Sequence, residues 1–111
     1  MKKHFLFISS SNLDRSKVAE ALFENSDKVE ARSAGFSAFG QEANKVTNEL
    51  IKWAGTIFVM DENTEKHKTQ LLEKFPVAED KEIMVLGIPR DLSEDKQKLE
   101  KVLREKLGYF L

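Results

Sequence analysis

Four short runs with strand character, residues 4–8, 28–33, 56–60 and 83–88, are separated by stretches whose apolar residues recur at helical spacing. Connections of that length are too long for hairpins, and strands alternating with helical crossovers form a parallel sheet covered by helices on both faces. This predicts an α/β fold with three layers, α/β/α, in one domain over residues 1–111. Ligands of such sheets sit beyond the carboxyl ends of the strands. The loops that begin at Ser9, Asp61 and Pro89 all start there.

The first run is apolar without alternation, as in a central strand covered on both faces. A helix is expected from about Ser16, capped by that hydroxyl, with Val18, Ala19, Ala21, Leu22 and Phe23 inward, ending near residues 25–27. Residues 28–33 alternate, with Val29 and Ala31 on one face. The loop 34–40 follows, with Gly35 and Gly40, and Phe36 and Phe39 are candidates to line a cleft. A second helix is expected over 42–54, stopped by Gly55 as a glycine cap. The third run is β-branched and continuous. A third helix is expected over 64–75, capped from 61–64 and ended by Pro76. A last helix is expected over 94–107, capped by Ser93 and closed by Gly108, with Leu99, Val102, Leu103 and Leu107 on one stripe. Asp61 reads as a helix cap, and Trp53 and Phe75 as core or rim.

The loop of residues 9–16 carries the chemistry. A strand that turns into a helix within a few residues aims the free N–H groups and positive end of that helix at one spot, which suits an anion. Arg15 adds a planar, permanently charged fork matched to two phosphate oxygens. Asn12, Arg15, Ser16, Ala19, Glu20 and Ala21 stand in the register of a phosphate loop: a cysteine, five residues, then Arg-Ser. In this the chain resembles the low-molecular-weight protein tyrosine phosphatase family, closest to a short bacterial branch of predicted tyrosine phosphatases. Ser33, Ala34 and Gly35, then Met60 and Asp61, then Ile88 and Pro89, are similar to that family at the corresponding places.

The resemblance implies a four-stranded sheet in the order 2-1-3-4. It also implies that residues 10–16 (Ser10, Ser11, Asn12, Leu13, Asp14, Arg15 and Ser16) cradle an oxyanion. Arg15 would hold the phosphate, Asn12 would brace the loop, and Ser16 would hydrogen-bond the nucleophile. The ligand would be phosphate or a phosphorylated molecule, such as a phosphotyrosine protein.

The nucleophile's place, however, is held by Ser9. The chain has no cysteine, which removes thiol chemistry, disulfides and thiolate metal sites together. A serine hydroxyl stays protonated and needs a neighbouring base, whereas a thiol beside a helix N-terminus ionises readily. No base is evident in the sequence: His4 and His67 both read as solvated. Asp14 departs from the family pattern and either opposes an anion or folds onto Arg15 and occupies its fork. A carboxylate about 4 Å from a phosphate oxygen opposes binding by a few kcal/mol before screening. Lys17 returns one positive charge where the family has proline. Asp91 is the candidate general acid, with Arg90 in direct register for that role.

With net charge −1, the chain has no basic surplus for nucleic acid. It has no run of membrane-spanning length, so a cytoplasmic protein without membrane partners is expected. No cofactor or metal is implied, and the oligomeric state is not encoded in any feature of the sequence. Three readings follow: a phosphatase-like oxyanion binder without cysteine-type hydrolysis; a weak phosphomonoesterase using Ser9 or water with Asp91; and an interaction module with no anion site.

Overall fold

The unbroken apolar run of the first strand resolves into two faces. In the computed structural model, which describes residues 2–37 and 43–111, β1 (Lys3–Ser9) lies between β2 (Val29–Gly35) and β3 (Thr56–Val59). A fourth strand, β4 (Glu82–Val85), extends the sheet in the parallel order β2-β1-β3-β4. Successive side chains of a strand point to opposite faces. Phe5, Phe7, Phe58 and Met60 therefore meet α1 (Arg15–Ala21) and α4 (Lys96–Leu107), where Ala19, Leu99, Leu103 and Leu107 are buried. Leu6, Ile8, Ile57 and Val59 meet the other layer, built from α2 (Asn48–Trp53) and α3 (His67–Lys74), through Ile51 and Leu71.

The first of these cores is aromatic. Phe5 sits edge-on to Phe58 at 4.9 Å and to Phe110 at 5.2 Å between centroids, and Phe7 stacks on Phe58 at 5.0 Å. Each such ring contributes roughly 1.5–3 kcal/mol from burial. The opposite edge of the sheet is thinner. In β4, Met84 and Val85 are exposed, so this strand is shorter and less covered than the run 83–88 predicts.

Several predicted boundaries move, each for a local reason. Ser16 lies inside α1 and does not cap it; Asp14 occupies the cap position without a side-chain bond. Ala21 is exposed and Phe23 lies beyond the helix. The second helix starts at Asn48, because the extended Thr47 accepts the Leu50 N–H, while residues 43–47 are not helical and Lys45 bridges to Gly35. Its predicted first residue, Glu42, lies outside the described residues, as do Phe39 and Gly40. Gly55 is no left-handed cap: Ala54 ends the helix in extended geometry and Gly55 N–H donates to His4 O.

The third helix loses its expected first turn. The Asp61 carboxylate captures the N–H groups of Asn63, Thr64 and Glu65, and Lys66 then reverses the chain at a φ of 58°. Asp61 thus caps a turn before α3, and Glu62 caps the helix through Thr69 N–H at 3.0 Å. Pro76 follows the end of α3 as expected. The last helix is capped by Asp95, not Ser93, and Gly108 continues in helical geometry into a final tight turn.

The carboxyl end of β1 is fastened to β2 at one contact with no room to spare. A Cβ on Gly35 would lie 2.6 Å from Asn12 N and 2.8 Å from Ser11 C, both backbone atoms. Gly35→Ala is therefore expected to displace the loop and cost about 1–3 kcal/mol of stability. Urea unfolding checks the cost. Amide resonances of residues 9–16, displaced more than those of α4, check the location.

Candidate functional site

The loop after β1 is held from behind by a buried asparagine. Asn12 takes a left-handed φ of 57°, which asparagine tolerates better than most residues. Its Nδ2 donates to Ser16 Oγ at 2.8 Å and Ser33 Oγ at 2.9 Å, and its Oδ1 accepts from Asn44 N at 2.8 Å. Ser33 Oγ passes its own proton to Glu20 Oε1 at 2.6 Å. The amide is fully satisfied, and it joins the loop to β2, α1 and the segment that holds Asn44.

Ser9 is buried at the end of β1. Its Oγ lies 2.8 Å from Ser16 Oγ and accepts the Asn12 N–H at 3.1 Å. Ser16 already accepts from Asn12 and is fully buried, so its proton goes best to Ser9. The Ser9 hydroxyl then receives two hydrogen bonds, and its own proton is directed to the cleft it lines. Neither partner is a base.

That cleft, about 440 Å³, is lined by Ser9, Ser10, Ser11, Asp14, Arg15 and Phe36, with Ser37, Gln70, Arg90 and Ser93 around them. Asn12 lies behind the loop, and the exposed Leu13 side chain borders a different groove, between α1 and α4. Asp91 is exposed and borders a neighbouring depression with Asp61, Glu65 and Pro89.

Arg15 is paired, and its partner is Glu65, not Asp14. Nη1 donates to Glu65 Oε2 at 2.6 Å and to Ile88 O at 2.8 Å, and Nη2 donates to Glu65 Oε1 at 2.8 Å. The same carboxylate accepts from Ser10 Oγ at 2.7 Å and Arg90 Nη2 at 3.2 Å. Burial alone raises the Glu65 pKa, but the hydrogen bonds from Arg15 and Ser10, with the Arg15 charge, overcome it and hold the group at about 2. Asp14 is exposed at the cleft rim.

His67 is not solvated. It is fully buried, with Nε2 at 2.9 Å from Ser10 Oγ and Nδ1 accepting the Asp61 N–H at 3.1 Å. A backbone N–H can only donate, so Nδ1 is unprotonated and Nε2 carries the proton. His67 therefore donates to Ser10, whose own proton goes to Glu65; this serine and histidine do not form a nucleophile and base. Burial holds the His67 pKa below its ordinary value, as does the Arg15 charge, against the opposing pull of Glu65. His4, the other histidine, is half-buried and stacks on Trp53 at 4.3 Å.

Against known proteins, no family model matches the chain. A protein-arginine-phosphatase of Geobacillus stearothermophilus is 34% identical over 103 residues, spanning 73% of this chain and 68% of that protein. The chain belongs to the low-molecular-weight phosphotyrosine phosphatase family. Among solved structures of this phosphatase fold, the tyrosine phosphatase Wzb from Escherichia coli, in complex with phosphate, superposes with a TM-score of 0.79 at 22% identity, covering 99% of this chain and 96% of its own. A cysteine-to-serine mutant of the YwlE arginine phosphatase with phosphorylated active site serine superposes with a TM-score of 0.72 at 25% identity, covering 97% and 95%. The phosphatase family resemblance and the sheet order 2-1-3-4 are thus both found.

At this site, sequence reading missed Glu65 and read the buried His67 as solvated. The available signal was topological: both follow β3, whose carboxyl end lies beside that of β1. Their inward direction depends on the reversal at Lys66, which no periodicity announces.

Both groups make the protein sensitive to acid. His67 binds its proton less readily folded than unfolded, so its contribution is complete above 6.5 and is lost as pH falls toward the lower folded value. Glu65 contributes above 4.5 and loses its share as pH falls to about 2, a span worth roughly 3 kcal/mol. Urea melts are expected to show stability declining below pH 6.5. His67→Gln should flatten that first segment and leave the decline below pH 4.5 in place.

Proposed function

We propose that this chain is a phosphate-binding member of its family that does not carry out cysteine-type phosphomonoester hydrolysis, and that it recognises a phosphorylated protein side chain. The observation that carries this reading is the state of Ser9: a hydroxyl receiving two hydrogen bonds, with a proton to offer the cleft and, among the described residues, no base bonded to it to remove that proton. In a cysteine enzyme the anionic thiolate faces the phosphate and opposes it before reaction. A neutral hydroxyl donates to the same oxygen. Arg15 and the loop amides of residues 10–16, apart from Asn12 whose N–H is taken by Ser9, supply the remaining donors, while Asp14 at the rim disfavours the most highly charged ligands. The family relatives named for arginine and tyrosine phosphatase activity support a phosphorylated protein residue as ligand.

A second reading has its own support. In the YwlE serine mutant the active site serine is phosphorylated; Ser9, which by the family register stands where the nucleophile would, is on this reading a phosphoryl acceptor. The ester P–O bond breaks, the Ser9 Oγ–P bond forms, and the Ser9 proton leaves with the departing oxygen. The seryl phosphate persists, because an alkoxide leaves far less readily than a thiolate.

Incubation with p-nitrophenyl phosphate separates the readings. Wild type is expected to show no sustained nitrophenol release, and Ser9→Cys to gain turnover over it. Sustained wild-type turnover abolished by Ser9→Ala would overturn the binding reading. A single equivalent of release, with one phosphoryl group at Ser9 by mass spectrometry, would establish the second.

A further inference from the structure

Arg15 has five N–H donors arranged on two bidentate edges. The end edge, Nη1 with Nη2, is taken by Glu65 Oε2 and Oε1, and the other Nη1 proton by Ile88 O. By elimination the side edge, Nε with the second Nη2 proton, has no partner among the described residues. Arg15 lines the cleft with Ser9, whereas Glu65 does not; Glu65 borders the depression on the far side of Ser10 and Arg90. We propose that Glu65 is a positioning residue for the anion site: it grips Arg15 by its end edge from outside the cleft and leaves the side edge for two oxygens of a bound phosphate. This rests on the oxyanion-binding reading above and adds the residue that makes the arginine ready for its ligand.

Glu65 is built for a fixed hold. Its N–H is taken by Asp61 Oδ2 at 2.9 Å and its carbonyl accepts from Gln70 Nε2 at 2.7 Å, so its backbone is pinned on both sides. Its carboxylate is 9% exposed and also accepts from Ser10 and Arg90. A long side chain such as arginine loses freedom on binding, and an arginine already held loses less at the moment a ligand arrives. Because Ser10 belongs to the loop itself, one carboxylate orients both the cationic group and the loop.

The rival is that Glu65 competes with phosphate for Arg15, as a plug. The two differ in sign. Glu65→Gln removes a negative charge near the anion, which by charge alone strengthens binding, as would release of a plug. Loss of a grip weakens it.

The experiment titrates inorganic phosphate and orthovanadate into full-length wild type, Glu65→Gln, Glu65→Asp, Arg15→Lys and the Glu65→Gln/Arg15→Lys double variant. Backbone amide shifts of residues 10–16 report binding. Glu65→Gln is expected to weaken the anion roughly tenfold, as for loss of one charge-assisted contact, with Glu65→Asp in between. In the Arg15→Lys background the Glu65→Gln change should be less than about twofold. Equal or tighter binding by Glu65→Gln, or an undiminished effect in the Arg15→Lys background, overturns the proposal while leaving the oxyanion reading intact. No shift in wild type at millimolar anion overturns both. Should the Glu65 variants not fold, the wild-type Arg15 Nε–H resonance decides alone: it moves on saturation if the side edge takes the anion, and a fixed resonance overturns the proposal.

Discussion

The site depends on the amide of Asn12. A buried side chain with two donors and an acceptor must satisfy all of them or cost stability, and each of its partners belongs to a different segment: Ser16 in α1, Ser33 in β2 and Asn44 beyond. The left-handed backbone at Asn12 turns its own N–H back onto Ser9. The loop conformation is therefore set in large part by hydrogen bonds that Asn12 makes outside the cleft. With Ser9 at the end of β1 the loop still closes, because Ser9 Oγ accepts the Asn12 N–H and pairs with Ser16.

A second hydrogen-bond system lies on the other side of the loop. Asp61 fixes the turn after β3, Lys66 reverses it, and Glu65 and His67 are delivered against Ser10 and Arg15. Direction follows from donors and acceptors alone. The backbone N–H of Asp61 fixes the His67 tautomer, His67 donates to Ser10, and Ser10 donates to Glu65, so the chain of protons ends on a carboxylate already committed to arginine. In this order the network orients groups and offers no vacant base. Ser9 belongs to the first system and Ser10 to the second, and adjacent serines thus have different electrostatic surroundings.

The core supplies the rigidity both systems need. β1 is central, paired along its whole length with β2 and over Phe5–Ile8 with β3, so Ser9 is placed by its pairing with Gly35 and by the residue before it, which is paired on both sides. The face that carries α1 is filled by interlocking phenylalanines, and the helix that follows the loop is pinned there through Ala19. β4 at the edge is less covered, yet Ile88 is tied to Met60 O at 2.6 Å, which brings its carbonyl to Arg15.

The sequence by itself determined the order of strands and helices, the two-sided burial of β1 and β3, the register of Asn12, Arg15 and Ser16, and the absence of a thiol. These are local properties: periodicity, turn chemistry and residue identity depend on near neighbours in the chain. Helix ends were less legible, because a cap depends on which of several nearby polar residues wins, as Asp95 does over Ser93 and Thr47 over the residues before it. Only the tertiary structure decided what pairs with Arg15. Asp14 is its neighbour in sequence, but Glu65 is fifty residues away, delivered by a parallel crossover and a single left-handed residue. The burial of His67 was decided in the same way. Long-range pairing of charged groups depends on where the fold brings side chains together, and the pattern along the chain carries no record of that distance.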